Sequence, residues 1–198
     1  MKRQFAAGAS AHFAAFARVL ERIEVTDEER EPVPLDRGID SIVESIVALK
    51  DNGRKALLIG NGGSAAIVSH VHNDLCKAVG VRAIVFNETP FLTAMANDHG
   101  YHSVFHRPVD LWADRGDLLI AVSSSGESEN IVTAAALAKE KGCRVFTFTG
   151  FGAGNRLRRI GDLNVYVPAS EYGSVEMAHS VIAHFVTDMA MVRASASV

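Results

Sequence analysis

Short apolar segments alternate with helical segments from residue 55 onward, and this alternation is the strongest constraint on the fold. The apolar segments read KALLIG, RAIVF, DLLIAV, RVFTFT and LNVYV, and a helical stretch follows each of them. Strands that are short and continuously apolar are buried on both faces, which is typical of a parallel sheet. The sequence therefore predicts an α/β fold in which a five-stranded parallel sheet is sandwiched by helices. Ligands of such open sheets bind beyond the C-terminal ends of the strands.

Two amphipathic helices are predicted before the first of these strands. Apolar residues recur at helical spacing from Phe5 to Ile23, and the stretch TDEEREPVP then breaks the pattern. A second apolar stripe runs from about Asp36 to Lys50. With 198 residues the chain has room for one domain of this kind. We expect a single domain over residues 1–198, with a helical segment at 1–52 and the sheet core at 53–198.

Charge and composition exclude several classes of partner. The formal net charge is -3 and no long run of Lys or Arg occurs, so neither nucleic acid nor an anionic membrane surface is an expected ligand. Cys76 and Cys143 lie far apart without a C-x-x-C partner, which fits a reducing compartment. No stretch approaches the roughly 18 to 20 apolar residues that span a bilayer, and the N-terminus has no apolar signal region. We expect a cytoplasmic protein.

A glycine turn follows the first predicted strand of the sheet core and precedes a helix. It reads Gly60-Asn61-Gly62-Gly63-Ser64. Glycine permits positive φ and a close approach of a ligand to backbone N–H groups, and a helix N-terminus favours an anion or a polar sugar. The turn also fits a simple helix cap. A dinucleotide site is disfavoured because the full G-x-G-x-x-G spacing is absent, so no nucleotide cofactor is expected.

A serine-rich loop follows the third strand of the core. Ser123, Ser124, Ser125 and Ser128 supply four hydroxyls within six residues at the start of another helix. Hydroxyls and backbone donors at a helix N-terminus can surround a phosphate dianion. A single serine there would indicate only a helix cap, but four of them favour phosphate binding. Glu127 would repel a phosphate that it faced, whereas a first-turn Glu that points outward favours the helix.

Two pairs of residues have the chemistry of metal ligands. His70 and Asp74 are four residues apart in a predicted helix, so they present an imidazole and a carboxylate on one face. Glu176 and His184 are eight residues apart in the last helix, on neighbouring faces. Two His and two carboxylates suit Zn²⁺ or a similar ion. An i,i+4 His/Asp pair also occurs as a surface or capping pair, and the nearby His72 and His179 remain competitors for the same role.

Taken in order, the segments GNGGSAAIVSHVHNDL, AMANDHGY, SSSGESENIVTAA and SVEMAHSVIAH resemble those of the SIS-domain phosphoheptose isomerases. The resemblance covers nearly the whole chain. It implies a flavodoxin-like SIS fold and the interconversion of sedoheptulose 7-phosphate and D-glycero-D-manno-heptose 7-phosphate. It also implies a homotetramer with active sites between subunits, in which the segment 1–52 takes part in oligomer contacts.

The same resemblance assigns roles to individual residues. The sugar-binding positions fall on Asn61, Gly62, Gly63, Ser64, Asn97 and Asp98. The phosphate-binding positions fall on Ser123, Ser124, Ser125 and Ser128. The metal positions, with one Zn²⁺ expected per subunit, fall on His70, Asp74, Glu176 and His184. His184 and one carboxylate, Asp74 or Glu176, are the expected catalytic residues.

The chain departs from the family pattern at four positions. Asp74 stands where the family carries Glu as ligand and base, and Glu176 stands where it carries Gln as a ligand. Ala78 replaces an Arg, and Gly173 replaces an Asp. These exchanges leave an alternative open, in which the chain is a non-catalytic SIS module that binds a sugar phosphate or a partner protein as a regulator.

Overall fold

The computed structural model describes residues 8–196 and contains a single seven-stranded sheet. The strands are β1 (Glu24–Asp27), β2 (Pro32–Val33), β3 (Lys55–Gly60), β4 (Arg82–Val85), β5 (Leu118–Ser123), β6 (Arg144–Thr149) and β7 (Leu163–Tyr166). The α-helices in the described part of the chain are α1 (Ala9–Leu20), α2 (Leu35–Asp51), α3 (Gly63–Asp74), α4 (Thr89–His99), α5 (His106–Trp112), α6 (Glu129–Glu140) and α7 (Tyr172–Ala196). A π-helical turn (Leu75–Val79) extends α3, and 3₁₀ turns occupy Tyr101–Ser103 and Leu157–Arg159.

The order of the parallel strands fixes where a ligand can bind. Across the sheet the strands run β2-β1-β7-β6-β5-β3-β4, and β4, β3, β5, β6 and β7 are mutually parallel. Counted from β3, the parallel strands have the flavodoxin-like order 2-1-3-4-5, whose topological switch point lies between the first and third strands. The predicted α/β fold with a flavodoxin-like parallel sheet is thus confirmed. Its switch point separates the C-terminal ends of β3 and β5.

The predicted number of five strands is wrong, because a short hairpin adds two more at the edge of the sheet. In the hairpin β1 pairs antiparallel with β2, and β1 also pairs antiparallel with β7. These strands arise from the acidic stretch that sequence reasoning treated only as a helix breaker. Strands of four and two residues are too short to show an alternating apolar pattern, and Pro32 is tolerated because β2 is an edge strand of the sheet. The segment 1–52 therefore contributes strands as well as helices.

The two N-terminal helices are present. Helix α1 begins at Ala9 and ends at Leu20, whereas the predicted helix began at Phe5, which lies outside the described residues. Helix α2 matches the predicted range to within one residue at each end. Its buried stripe includes Ile39, Ile42 and Ile46. The close fit follows from the regular apolar spacing of that segment.

The core lies on both faces of the sheet. Leu58 of β3 points toward the side that carries α2, α3 and α7, where it belongs to one apolar cluster with Ile42 and Val71. Its neighbours Leu57 and Ile59 point to the other side and pack in a second cluster with Ile131 of α6. This alternation is the two-residue period of a strand that is buried on both faces. The helices that carry the candidate site residues, α3 and α7, therefore share one layer.

Asp117 ties the beginning of β5 to the beginning of β3. Its side chain is 1% exposed and forms an ion pair with Lys55, at 2.5 Å between Oδ2 and Nζ. The carboxylate also accepts hydrogen bonds from the backbone N–H groups of Lys55, at 3.1 Å, and Asp114, at 2.9 Å. Lys55 forms a second ion pair with Asp114, whose side chain is 71% exposed. The buried carboxylate thus holds the two strands on which the switch point depends.

We predict that Asp117→Ala lowers the free energy of unfolding by about 3–5 kcal/mol, because it removes the buried partner of Lys55 and leaves two backbone donors without an acceptor. Asp114→Ala is the matched control, since it removes the exposed partner of the same lysine and should change stability far less. Urea unfolding monitored by circular dichroism measures both. Equal losses in the two variants would contradict the role of the buried carboxylate.

Candidate active site

The glycine turn after β3 and the serine loop after β5 face each other across one cavity at the switch point. The cavity measures about 210 Å³. Its lining comprises Asn61, Gly62, Gly63, Ser64, Ser123, Ser124, Ser125, Ser128, Tyr172 and Glu176. Every predicted residue of the two loops is therefore brought to one place, although the loops are about sixty residues apart in sequence. Two helix N-termini, those of α3 and α6, lie at this cavity, which favours a negatively charged ligand.

One glycine of the turn is required by its backbone conformation, and a second packs closely against a side chain of α7. Gly62 has a φ of 54°, in the left-handed region that favours glycine. A Cβ at Gly63 would lie 2.4 Å from Oε2 of Glu176, so no other residue fits there without displacing the carboxylate. The first turn of α3 therefore lies directly against the Glu176 side chain of α7. The glycines serve packing as well as backbone access for a ligand.

Asn61 is held in place by two residues that sequence reasoning missed. Asn61 and Asn130 exchange side-chain amide hydrogen bonds of 3.0 and 2.9 Å, and the Tyr101 hydroxyl donates to Asn61 Oδ1 at 3.0 Å. Asn130 is buried in the first turn of α6, which connects the glycine turn to the serine loop. No spacing rule predicts this contact, because Asn61 and Asn130 meet only through the order of the strands.

The serine loop contains a buried hydroxyl that no other described residue uses. The hydroxyls of Ser123 and Ser125 accept backbone N–H groups within the loop at 3.2 Å. The hydroxyl of Ser124 is buried and has no hydrogen-bond partner among the described residues. A buried hydroxyl without a partner is costly unless a ligand or water satisfies it. Glu127 is engaged elsewhere, because its carboxylate accepts the Arg156 backbone N–H at 3.1 Å.

Three of the four predicted metal ligands come together on α3 and α7. The candidate ligand atoms of His70, Asp74 and His184 all lie within 4.8 Å of one another. His70 Nε2 is 3.2 Å from Asp74 Oδ2, and the imidazole rings of His70 and His184 have centroids 4.4 Å apart. Two imidazole nitrogens and one carboxylate oxygen fit Zn²⁺, whose catalytic sites have three protein ligands and an open position. We refer to these three residues as the histidine cluster.

A hydroxyl on α7 orients the carboxylate of the histidine cluster. Thr187 lies one turn beyond His184, is buried, and its Oγ1 is 3.2 Å from Asp74 Oδ2 and 3.1 Å from the His184 carbonyl oxygen. A hydrogen bond to a ligating carboxylate is the kind of support that fixes its orientation. The π-helical turn begins at the residue after Asp74 and so alters the helix at this point.

Glu176 lies outside the histidine cluster and lines the cavity instead. It is separated from His184 by eight residues of α7, which is about 12 Å along the helix axis at about 1.5 Å per residue. Its carboxylate rests against Gly63 at the N-terminus of α3. Within one chain the four residues expected from the family pattern therefore do not form a single group.

The competing histidines take no part in the histidine cluster. His72 points from α3 in a different direction and is not among the three grouped residues. His179 is fully buried, and its Nε2 lies 3.1 Å from the Thr149 carbonyl oxygen. Burial lowers the pKa of His179 from 6.5 to about 4, and the hydrogen bond to Thr149 offsets only part of this effect. His179 is therefore a neutral core residue that connects α7 to the end of β6.

Asn97 and Asp98 are not brought to the cavity within this chain. Both are exposed on α4, and the Asn97 amide donates to Asp98 Oδ1 at 2.8 Å. Ala78 lies exposed in the π-helical turn, and a Cβ at Gly173 would meet no atom within 4 Å. The substitutions at these last two positions therefore remove side chains from exposed surface near the ends of α3 and α7.

A protein-family model described as the SIS domain matches residues 11–150, which is most of the chain. The chain belongs to the SIS domain family. The phosphoheptose isomerase of Geobacter sulfurreducens is 36% identical over 157 residues, which cover 76% of this chain and 82% of the relative. That of Aliarcobacter butzleri is 34% identical over 180 residues, which cover 88% of each. The solved structure of phosphoheptose isomerase GmhA from Neisseria gonorrhoeae has a TM-score of 0.79 at 28% identity and covers 91% of this chain and 95% of that chain.

Within the family the chain groups with the phosphoheptose isomerases, and it is an enzyme of the sugar-phosphate isomerase type. The prediction of an isomerase is confirmed over the alternative of a non-catalytic regulator. None of the helices in residues 8–196 is both long enough and apolar enough to cross a membrane.

We predict a pH dependence of stability that arises from His179. In the unfolded chain its imidazole takes up a proton near pH 6.5, whereas in the folded protein it does so only near pH 4. The free energy of unfolding should therefore fall by about 1.4 kcal/mol per pH unit as the pH drops through this range, or about 3 kcal/mol in all. His179→Gln keeps an amide donor but does not titrate, so urea titrations of this variant should lack that contribution. If the free energy of unfolding depended on pH equally in the wild type and in His179→Gln, the contribution of His179 would be contradicted.

Proposed function

We propose that this enzyme interconverts sedoheptulose 7-phosphate and D-glycero-D-manno-heptose 7-phosphate. The observation that carries the proposal is the cavity at the switch point, which lies at the N-termini of two helices and whose lining residue Ser124 has a buried hydroxyl without a partner among the described residues. A phosphate group supplies the acceptors that this loop lacks. The names of the relatives supply the heptose, since both curated relatives are called phosphoheptose isomerase.

The serine loop would hold the phosphate without a cationic side chain. Among the residues that line the cavity none is Lys or Arg, so the donors are hydroxyls and backbone N–H groups. Ser124, Ser125 and Ser128 lie at the start of α6, where the helix dipole adds attraction for an anion. An anchored phosphate fixes the orientation of the sugar carbons, and such positioning lowers the barrier to reaction.

The isomerisation moves one proton between neighbouring carbons and one between neighbouring oxygens. In the ketose-to-aldose direction, we assign to the Asp74 carboxylate the removal of a proton from C1, which leaves an enediolate across C1 and C2. Asp74 then returns that proton to C2. His184 donates a ring N–H proton to O2 and takes the proton of O1 in its place, so that the aldehyde forms at C1 and atoms and charges balance. The two side chains are assigned together because they share the histidine cluster.

The histidine cluster would hold one divalent ion, most suitably Zn²⁺, through His70, Asp74 and His184. A bound ion supplies polarisation of the carbonyl group and compensation of enediolate charge. Thr187 would keep Asp74 oriented. Glu176, which lines the cavity, would bind a hydroxyl of the sugar.

A second copy of the chain is needed if Glu176 is to join the histidine cluster. Within one chain Glu176 and His184 are separated by about 12 Å along α7. The outer face of α7 carries Val181, Phe185 and Val192, which are 47%, 54% and 58% exposed, and an apolar face of this kind marks a contact surface. We therefore propose a homotetramer with intersubunit sites, in which residues 1–52 take part in the contacts. Its cytoplasmic location stays a prediction.

Turnover of sedoheptulose 7-phosphate tests the proposed reaction. We expect activity with added Zn²⁺ in a panel of C5 to C7 ketose and aldose phosphates, and about one divalent ion per chain in protein purified without chelator. Activity on a different sugar phosphate of the panel alone would change the assigned substrate. Inactivity on the whole panel would overturn the proposed reaction.

Single variants test the assigned roles. Asp74→Asn and His184→Ala should each lower kcat by about 100-fold or more, because each removes a proton-transfer group. Glu176→Gln is the matched control: it keeps the length and an acceptor oxygen, so KM should rise while kcat changes by less than about tenfold. If Glu176→Gln abolished turnover while Asp74→Asn kept it, Glu176 would be the base. Circular dichroism of each variant establishes that it is folded.

The proposed assembly predicts that Phe185→Glu gives a smaller species and loses activity, because it places a charge on the apolar face of α7. Ser195→Glu introduces the same charge at an exposed polar position of the same helix and should change neither property. Light scattering after size exclusion measures the mass of each. A fully active Phe185→Glu monomer would contradict intersubunit sites.

A further inference from the structure

A second polar cavity lies outside the active site, between the β1–β2 hairpin and the segment that follows β6. Its volume is about 230 Å³. Its lining comprises Thr26, Arg30, Ala153, Gly154, Arg158 and Arg159. None of these residues belongs to the histidine cluster or lines the cavity between the glycine turn and the serine loop, which we call the catalytic cavity. We call this the arginine cavity, because three of its six lining residues are arginines.

Two of the three guanidinium groups are available to a ligand. Within residues 8–196, the side chains of Arg30 and Arg159 form no hydrogen bond or ion pair with another residue. Both are exposed, and Nη2 of Arg159 lies close to Gly154, where an added Cβ would be 3.4 Å from it. Arg30 occupies the turn of the hairpin with a φ of 69°, which is uncommon for a residue other than glycine. The turn thus brings this arginine to the mouth of the cavity.

The third arginine is a fixed part of the wall. Arg158 has a side chain that is only 10% exposed, and its guanidinium lies 4.3 Å from the ring centroid of Tyr166. It donates to Glu24 Oε2 at 2.9 Å and to the Ala153 carbonyl oxygen at 3.3 Å. Glu24 offsets one of the three positive charges. Among the lining residues the two positive charges of Arg30 and Arg159 are therefore not offset by an ion pair with another described residue.

An unused buried donor adjoins these charges. Thr26 is 6% exposed, it lines the cavity, and its hydroxyl has no hydrogen-bond partner in the described part of the chain. No acidic residue is among the described lining residues: Asp27 accepts the Glu31 backbone N–H at 2.8 Å and Glu28 lies 3.6 Å from Lys139, while Glu29 and Glu31 flank Arg30 in the turn without lining the cavity. The cavity therefore combines excess positive charge with an unsatisfied hydroxyl.

We propose that the arginine cavity binds a phosphate group, as inorganic phosphate or as the phosphate of a small monoester, at a site separate from the catalytic cavity. Guanidinium groups match the oxygens of phosphate with paired N–H donors, and they hold it more specifically than a lysine would. A dianion balances the two excess charges of the lining. A carboxylate would balance only one of them and would offer two acceptor atoms where phosphate offers three.

The proposal is tested by nuclear magnetic resonance of the full chain, titrated with inorganic phosphate and, separately, with glycerol 3-phosphate at constant ionic strength. We expect saturable shifts of the Ala153 and Gly154 amide signals in the wild type. In the double variant Arg30→Gln/Arg159→Gln, the apparent affinity obtained from these shifts should fall at least tenfold. Arg37→Gln, an exposed arginine of α2, is the control and should keep them.

A variant of the catalytic cavity separates the two sites. Ser125→Ala/Ser128→Ala should weaken the shifts of the serine loop and leave those of Ala153 and Gly154 in place. The proposal is overturned if Ala153 and Gly154 show no saturable shift in the wild type, or if their shifts survive in Arg30→Gln/Arg159→Gln. Saturation by only one of the two probes identifies whether free phosphate or a monoester is bound.

Discussion

The order of the parallel strands is the constraint on which the active site depends. Because β3 and β5 are neighbours while the helices that follow them diverge, their C-terminal loops open onto one crevice. The glycine turn and the serine loop fill that crevice, and the exchange of amide hydrogen bonds between Asn61 and Asn130 joins them. At the N-terminal ends of the same two strands, the buried carboxylate of Asp117 holds β3 and β5 together. Strand order thus accounts for both the stability of this part of the sheet and the position of the cavity.

The fold was predictable where local pattern determines structure. The five parallel strands are visible as apolar runs, although the edge strand β4 is only partly buried, and α2 is visible as an apolar stripe. The β1–β2 hairpin was not predictable, because β2 is only two residues long and β1 is held in the sheet by antiparallel pairing with β7. Such pairing depends on residues more than a hundred positions away, and no local pattern records it.

The site shows the same division between local and long-range information. The serine loop was predictable because hydroxyls at a strand-to-helix junction have a chemical meaning of their own. His70 and Asp74 were predictable as an i,i+4 pair, but their contact with His184 depends on how α3 and α7 pack. Spacing could not show that Glu176 lies in the cavity, that His179 is buried, or that Tyr101 and Asn130 hold Asn61. Asn97 and Asp98 were assigned by family position alone, and within this chain they lie on exposed surface.

The exchange of Asp and Glu between the two sites has a physical consequence. Asp74 reaches the two imidazoles of the histidine cluster with its short side chain, so a longer carboxylate is not needed there. Glu176 then places a negative charge in the cavity that we assign to the phosphate, where no Lys or Arg compensates it. Its position against the N-terminus of α3 offsets part of that cost, because the helix dipole favours a carboxylate at this end. The phosphate binding that we propose for this cavity would therefore rely on neutral donors and would work against one fixed charge.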